Sequence, residues 1–170
     1  GYKTTANAPY SHAEGSNTVA SNPSCHAEGT GCVASGQSSH AEGENCRATG
    51  SYSHAEGHNT VASGTSSHAS GWGTVAGDET FAIGRWNKTA GGLFVVGNGW
   101  NSSSDENKAY RSDAMVLDIS GNLHIAGKLT ADGGVGYVLP SATADTLGGV
   151  KIGDNINVSD SGTISVNLSA

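Results

Sequence analysis

The sequence predicts an all-β protein, a parallel β-roll of 14-residue coils with two short strands per coil, followed by a C-terminal module of further short strands. Three observations carry this. From Thr4 to Thr74 every seventh residue is Ser, Thr or Cys, and two positions after each stands an alanine, from Ala6 to Ala76 without exception. Glycine usually follows two positions later, as Gly15, Gly29, Gly36, Gly43, Gly50, Gly57, Gly64 and Gly71. The positions between alternate with a period of fourteen: one heptad carries His and Glu, the next mostly Val with Ser or Thr.

A seven-residue period also marks a coiled coil, but that seam needs large apolar residues at two positions. These columns hold Ala, Ser, Thr and Cys. Glycine once per heptad would also cost a helix about 1 kcal/mol each time. Small residues at i, i+2 and i+4 instead share one face of a β-strand. Each heptad is therefore expected to be a five-residue strand and a two-residue corner, and two heptads one coil of a parallel solenoid. Eleven heptads make five and a half coils, a rod of roughly 26 Å at about 4.8 Å per coil.

The roll, residues 1–92, has a thin interior. A flattened two-strand coil admits only Ala, Ser, Thr, Cys and Gly, each burying far less than the ~1.5–3 kcal/mol of a Leu or Val. Chain entropy opposes folding by about 1–2 kcal/mol per residue. One roll is therefore expected to need partners, and identical copies are the simplest source, so a homo-oligomer is expected. Cys25, Cys32 and Cys46 all stand in the Ser/Thr column and read as buried free thiols. Their spacing is not that of a zinc site.

The outward face carries the main candidate for chemistry. His12/Glu14, His26/Glu28, His40/Glu42 and His54/Glu56 repeat every fourteen residues and end at His68/Ser70. The favoured reading is a structural ladder in which Glu accepts from imidazole N–H and burial is satisfied. Metal binding is the weaker reading, because a metal enzyme needs one differentiated, open site, and no metal or other cofactor is assigned. Arg47 in the valine column makes the valine face the more exposed one, which puts the His/Glu column at a subunit contact. Imidazole ordinarily titrates near about pH 6.5, so charging five of them is expected to loosen the oligomer.

Ser-His-Ala-Glu-Gly every fourteen residues resembles the left-handed parallel β-roll head of trimeric autotransporter adhesins, over about residues 2–92. The corresponding stretch of that family commonly reads Ser-Val-Ala-Ile-Gly, and Thr80-Phe81-Ala82-Ile83-Gly84 comes close to it. The resemblance implies a left-handed roll, parallel three-fold packing into a homotrimer, and a role in binding surfaces. The departure is that His and Glu replace Val and Ile, turning an apolar contact column polar.

Between Trp72 and Gly92 the register frays: Phe81 to Gly84 arrive one residue early, and Ala90 returns to the spacing, fourteen after Ala76. The large side chains Trp72, Phe81, Ile83 and Trp86 suit a cap over the last rung. Trp72 and Trp86, with Trp100, are also the aromatics that could stack on a surface carbohydrate. Residues 93–136 read as a short apolar strand at Leu93–Val96, a polar mobile loop at Asn98–Ser112, and a hairpin whose arms Ala114–Ile119 and Asn122–Ala126 flank Ser120-Gly121. Leu123 and Ile125 alternate with polar or small residues, so one face of that arm is expected to be buried. A linker is expected at Gly127–Gly136. Residues 137–170 add strands at Val150–Ile152, Ile156–Val158 and Thr163–Val166.

This second part is similar to phage tail and baseplate segments, on Phe94-Val95-Val96-Gly97-Asn98-Gly99 and Ala114-Met115-Val116-Leu117-Asp118. Leu139-Pro140-Ser141-Ala142-Thr143, followed by Leu147-Gly148-Gly149-Val150-Lys151-Ile152-Gly153, resembles modules that recur in phage tail fibres. The resemblance implies intertwined trimers.

Charge and composition narrow the function. Charged residues make up 14% and the net charge is −7, divided as −3 over residues 1–92 and −4 over 93–170. No basic patch suits nucleic acid, and no apolar run is long enough to cross a membrane. No signal peptide is visible. Gly1 begins inside the repeat, so an excised fragment is expected. Asn87-Lys88-Thr89 and Asn101-Ser102-Ser103 match a glycosylation pattern, which carries little weight in a bacterial or phage setting. The expectation is a non-enzymatic trimeric fibre segment of a phage or prophage tail or receptor-binding protein, attaching to a glycan or protein receptor outside the cell. The alternative is the head of a bacterial trimeric surface adhesin. A remote alternative from another class is a trimeric metal-dependent left-handed β-helix enzyme.

Overall fold

The computed structural model describes residues 1–101 and 110–127, and two short strands at 156–158 and 164–166. Most of the loop foreseen at 98–112, the linker after 127 and the strand foreseen at 150–152 lie outside the described residues. All the regular elements described are β-strands.

Residues 1–76 wind into a parallel solenoid of stacked coils. One sheet holds the valine rows: β1 (Thr5–Ala6), β3 (Val19–Ala20), β5 (Val33–Ala34), β7 (Arg47–Ala48), β9 (Val61–Ala62) and β11 (Val75–Ala76), each beside the next. The other holds the histidine rows: β2 (His12–Ala13), β4 (His26–Ala27), β6 (His40–Glu44), β8 (His54–His58) and β10 (His68–Trp72). Partners lie fourteen residues apart, as Val19 with Val33 and His26 with His40.

The strands are shorter than the five residues expected, except at β6, β8 and β10. The last corner residue of each heptad from Lys3 to Ser66 is left-handed, with φ of 51–60° at Lys3, Tyr10, Asn17, Ser24, Ser38, Asn45, Tyr52, Asn59 and Ser66 and 69° at Gly31. Such a conformation costs a non-glycine residue about 1–2 kcal/mol. It is held by ladders that run through the corners: Asn45 N–H donates to Thr30 C=O at 2.8 Å and Asn59 N–H to Glu44 C=O at 2.9 Å.

The core is the small-residue stripe. Ala20, Ala27, Ala34, Ala41, Ala48, Ala55, Ala62, Ala69 and Ala76 are fully buried, and with them Thr18, Thr60, Thr74, Cys25, Cys32 and Cys46. Three interior serine hydroxyls are satisfied locally: Ser39, Ser53 and Ser67 donate to the carbonyls of Gly36, Gly50 and Gly64 at 2.7, 2.6 and 2.6 Å, whereas the Thr60 hydroxyl has no partner among the described residues. A buried donor left without a partner would cost about 1–3 kcal/mol. The three cysteines are free and buried, as expected. The Cys46 thiol beside it, together with burial, holds the Cys32 thiol well above its usual range.

Past Ser70 the coil shortens to thirteen residues. Phe81 pairs with His68 and Phe94 with Phe81, so β12 (Phe81–Arg85) and β13 (Phe94–Asn98) extend the histidine sheet in parallel. The antiparallel strands β14 (Asp113–Leu117) and β15 (Leu123–Ile125) then complete it, joined through Ser120-Gly121 as expected. The domain boundary drawn at residue 92 thus falls between two neighbouring strands of one sheet, and Gly1–Gly127 form one compact unit. The alternating face of β15 is a correction: Leu123 and Ile125 are exposed within the chain.

The valine sheet ends differently. Thr89–Gly92 return to the alanine spacing but form no strand. The Asn87 amide takes the strand's place, accepting from Val75 N–H and donating to Val75 C=O, both at 2.8 Å. Trp86 closes the end of the roll at 1% exposure, its ring against Gly73 and its centre 5.0 Å from the Arg111 guanidinium carbon. In the C-terminal unit, β16 (Ile156–Val158) and β17 (Ile164–Val166) pair antiparallel.

Candidate functional site

The parallel register places each His directly over the one before it. His12, His26, His40 and His54 stack with ring centroids 4.7–4.8 Å apart and planes within 15°. His68 keeps the 4.7 Å spacing but tilts by 57°. The column does not end there. Phe81 follows at 4.6 Å and Phe94 at 5.6 Å, so one aromatic stack runs over seven strands. The sequence shows Phe81 to Gly84 arriving one residue early, but Phe81 was expected in a cap over the last rung, and Phe94 was expected in a separate strand of the next module. The neighbouring column changes in step: Glu14, Glu28, Glu42 and Glu56 give way to Ser70, Ile83 and Val96. The face is polar at one end and apolar at the other.

Each His Nε2 approaches the carboxylate one coil earlier. The Nε2–Oε1 distances are 4.0 Å for His26–Glu14, 3.5 Å for His40–Glu28, 3.3 Å for His54–Glu42 and 3.4 Å for His68–Glu56. Only the last two fall within hydrogen-bond reach, and even these exceed the roughly 2.7–2.9 Å of a good charge-assisted bond. His26 and His40 Nε2 are shielded from solvent yet have no hydrogen-bond partner among the described residues. The ladder expected from the sequence is present, but loosely made. A second column beside it pairs His58 with Glu44 at 3.8 Å.

The His and Glu side chains from His26 onward are about one-third exposed (Glu14 more so). The Ser70 hydroxyl, followed by His68, holds the Glu56 carboxyl below its usual range. Arg47, Thr49 and Ser63 are exposed on the valine face and His12 and Glu14 on the histidine face, while Val19, Val33, Val61 and Val75 are half-buried, as His26, His40, His54 and His68 are. Exposure within the chain therefore does not single out either face. Ligating atoms of Glu14, His26 and Glu28 lie within 4.8 Å of one another, as do those of Glu28, His40 and Glu42, and of Glu42, His54 and Glu56. Every rung offers the same groups, which suits repeated contact with a partner or ion.

Of the three aromatics considered for carbohydrate stacking, Trp72 and Trp100 are exposed. Trp72 contacts His58 edge-on at 5.7 Å, and Trp100 lies 6.4 Å from Tyr110 across an antiparallel bridge. Trp86 is a correction: it is buried as the cap and offers no open face within the chain. Sequence reasoning also missed Asn87, whose position after a fraying repeat gave no hint that its amide would complete a ladder. No family model, no curated protein and no solved structure matches this chain.

Proposed function

We propose that this chain is a non-enzymatic structural and adhesive segment of a homotrimeric fibre, of the phage or prophage tail or receptor-binding kind, acting outside the cell at its surface. The observation that carries this reading is the interior of the roll. From Thr18 to Ala76 nothing larger than threonine is fully buried, and such a core leaves the coils in need of lateral support. The valine rows are half-buried in one chain, and Phe81, Leu93, Ile119, Leu123 and Ile125 are exposed. Apolar surface of that kind at the end of a rod is what copies of the chain would cover. Trp72 and Trp100 are the exposed aromatics suited to a glycan or protein receptor.

The test has two arms on the 170-residue chain. Light scattering should give three times its 17.0 kDa mass, and a stably folded monomer would overturn the trimer. A glycan and bacterial-cell-surface array should show saturable binding that falls in the Trp72→Ala/Trp100→Ala variant. An array without a binder would overturn the adhesive role.

A further inference from the structure

We infer that the His/Glu column is a binding site for divalent transition-metal ions of the zinc class, with two ions per chain. The reasoning starts from distance. Metal–ligand bonds of about 2.0–2.2 Å in tetrahedral geometry separate neighbouring ligand atoms by roughly 3.4 Å. The Nε2–Oε1 separations of 3.3–4.0 Å are long for hydrogen bonds but close to that edge length. Each of His26, His40 and His54 sits between two carboxylates, one from its own coil and one from the coil before, with ligating atoms within 4.8 Å.

A second observation points to a ligand. The Nε2 atoms of His26, in the first set, and of His40, in the middle set, are shielded from solvent without a hydrogen-bond partner among the described residues, although both rings are about one-third exposed. A shielded imidazole nitrogen without a hydrogen bond is costly, and a metal bond at the first set satisfies that of His26. One imidazole with two carboxylates favours zinc, copper or nickel over magnesium or calcium, which prefer oxygen alone.

The stoichiometry follows from sharing. Glu28 and Glu42 each belong to two of the three sets. Two ions, one at Glu14/His26/Glu28 and one at Glu42/His54/Glu56, use every carboxylate once, and four negative charges balance two divalent cations. The middle set, Glu28/His40/Glu42, competes with both and stays unused while they are filled. All ligands come from one chain, so the inference stands whatever the oligomeric state.

The experiment is zinc titration by calorimetry and equilibrium dialysis on the full chain, in a C25S/C32S/C46S background that removes thiol ligands. Serine is already native to that interior column. Two Zn2+ per chain are expected. H40A should still bind two, whereas H26A/H54A should bind one, at the middle set. E28Q/E42Q, with its fold checked by circular dichroism, should weaken binding by roughly tenfold or more, since losing even an outer-shell partner costs about 10–100-fold. H58A/H124A should change nothing. Absence of saturable binding, equal loss in H40A and H26A/H54A, or unaltered binding in E28Q/E42Q would overturn the assignment.

Discussion

Asp118 shows how much one side chain can organise. Its Oδ1 accepts from the Ser120 and Asn122 N–H groups at 2.9 Å each, and its Oδ2 from the Asn122 amide at 3.0 Å, with His124 Nε2 at 3.1 Å. The Asn122 side chain and backbone, then His124, hold its carboxyl far below the usual range. Glu56 makes a comparable arrangement in the roll. Folding lowers its pKa, through the Ser70 hydroxyl first and His68 after it, so it contributes stability above its unfolded value of about 4.3. That contribution disappears as pH falls through the lower folded value. With 38% of the side chain exposed, it amounts to less than about 1 kcal/mol. Ser70→Ala should therefore move the Glu56 titration upward by NMR, and the stability difference from wild type should be visible near pH 6 and shrink as pH falls below the unfolded value of about 4.3.

At the scale of the element, the repeat was largely legible. Alanine without exception at one position could only be a packed stripe, and the period of fourteen set which rows become neighbours. What was not legible were backbone conformations that side-chain chemistry does not announce. Left-handed corners fall on Asn, Ser, Tyr and Lys as well as on Gly31 and Gly73, because the corner ladders fix the backbone whichever residue stands there. Asn87 and Trp86 became caps through three-dimensional placement alone. The glycines of the histidine rows make the clearest test. Gly57 has φ of 106°, and a Cβ there would lie 2.2 Å from the Gly71 carbonyl oxygen, whereas one on Gly91 would meet nothing within 4 Å. Gly57→Ala should cost more than about 3 kcal/mol and Gly91→Ala less than about 0.5 kcal/mol, read from thermal unfolding followed by circular dichroism.

Taken whole, the roll is quasi-one-dimensional: each coil touches only the coils before and after it, so stability is close to a sum of rung and interface contributions. Removing residues 26–39 joins Cys25 to His40 and keeps every column in place. Removing residues 26–32 joins Cys25 to Val33 and sets Val33 over His12, exchanging the two faces from that point on. The longer deletion should retain the β spectrum and a single cooperative melt, and the shorter one should melt at a much lower temperature, although it removes half as many residues. The candidate site was readable to the same degree as the roll. Its His and Glu positions followed from the period, but its extension into Phe81 and Phe94 did not, because large apolar side chains after a fraying repeat read equally well as a cap and as the start of another module.

That aromatic column gives the rod a sense of direction. Imidazoles and carboxylates occupy one end of the face, phenyl rings with Ile83 and Val96 the other. Neighbours laid alongside in the same direction match wet surface to wet and dry to dry. Reversing one of them sets carboxylates against phenylalanine. The gradient along the axis is thus a built-in arrow, and copies that bundle can agree on which way is up without any separate device to align them.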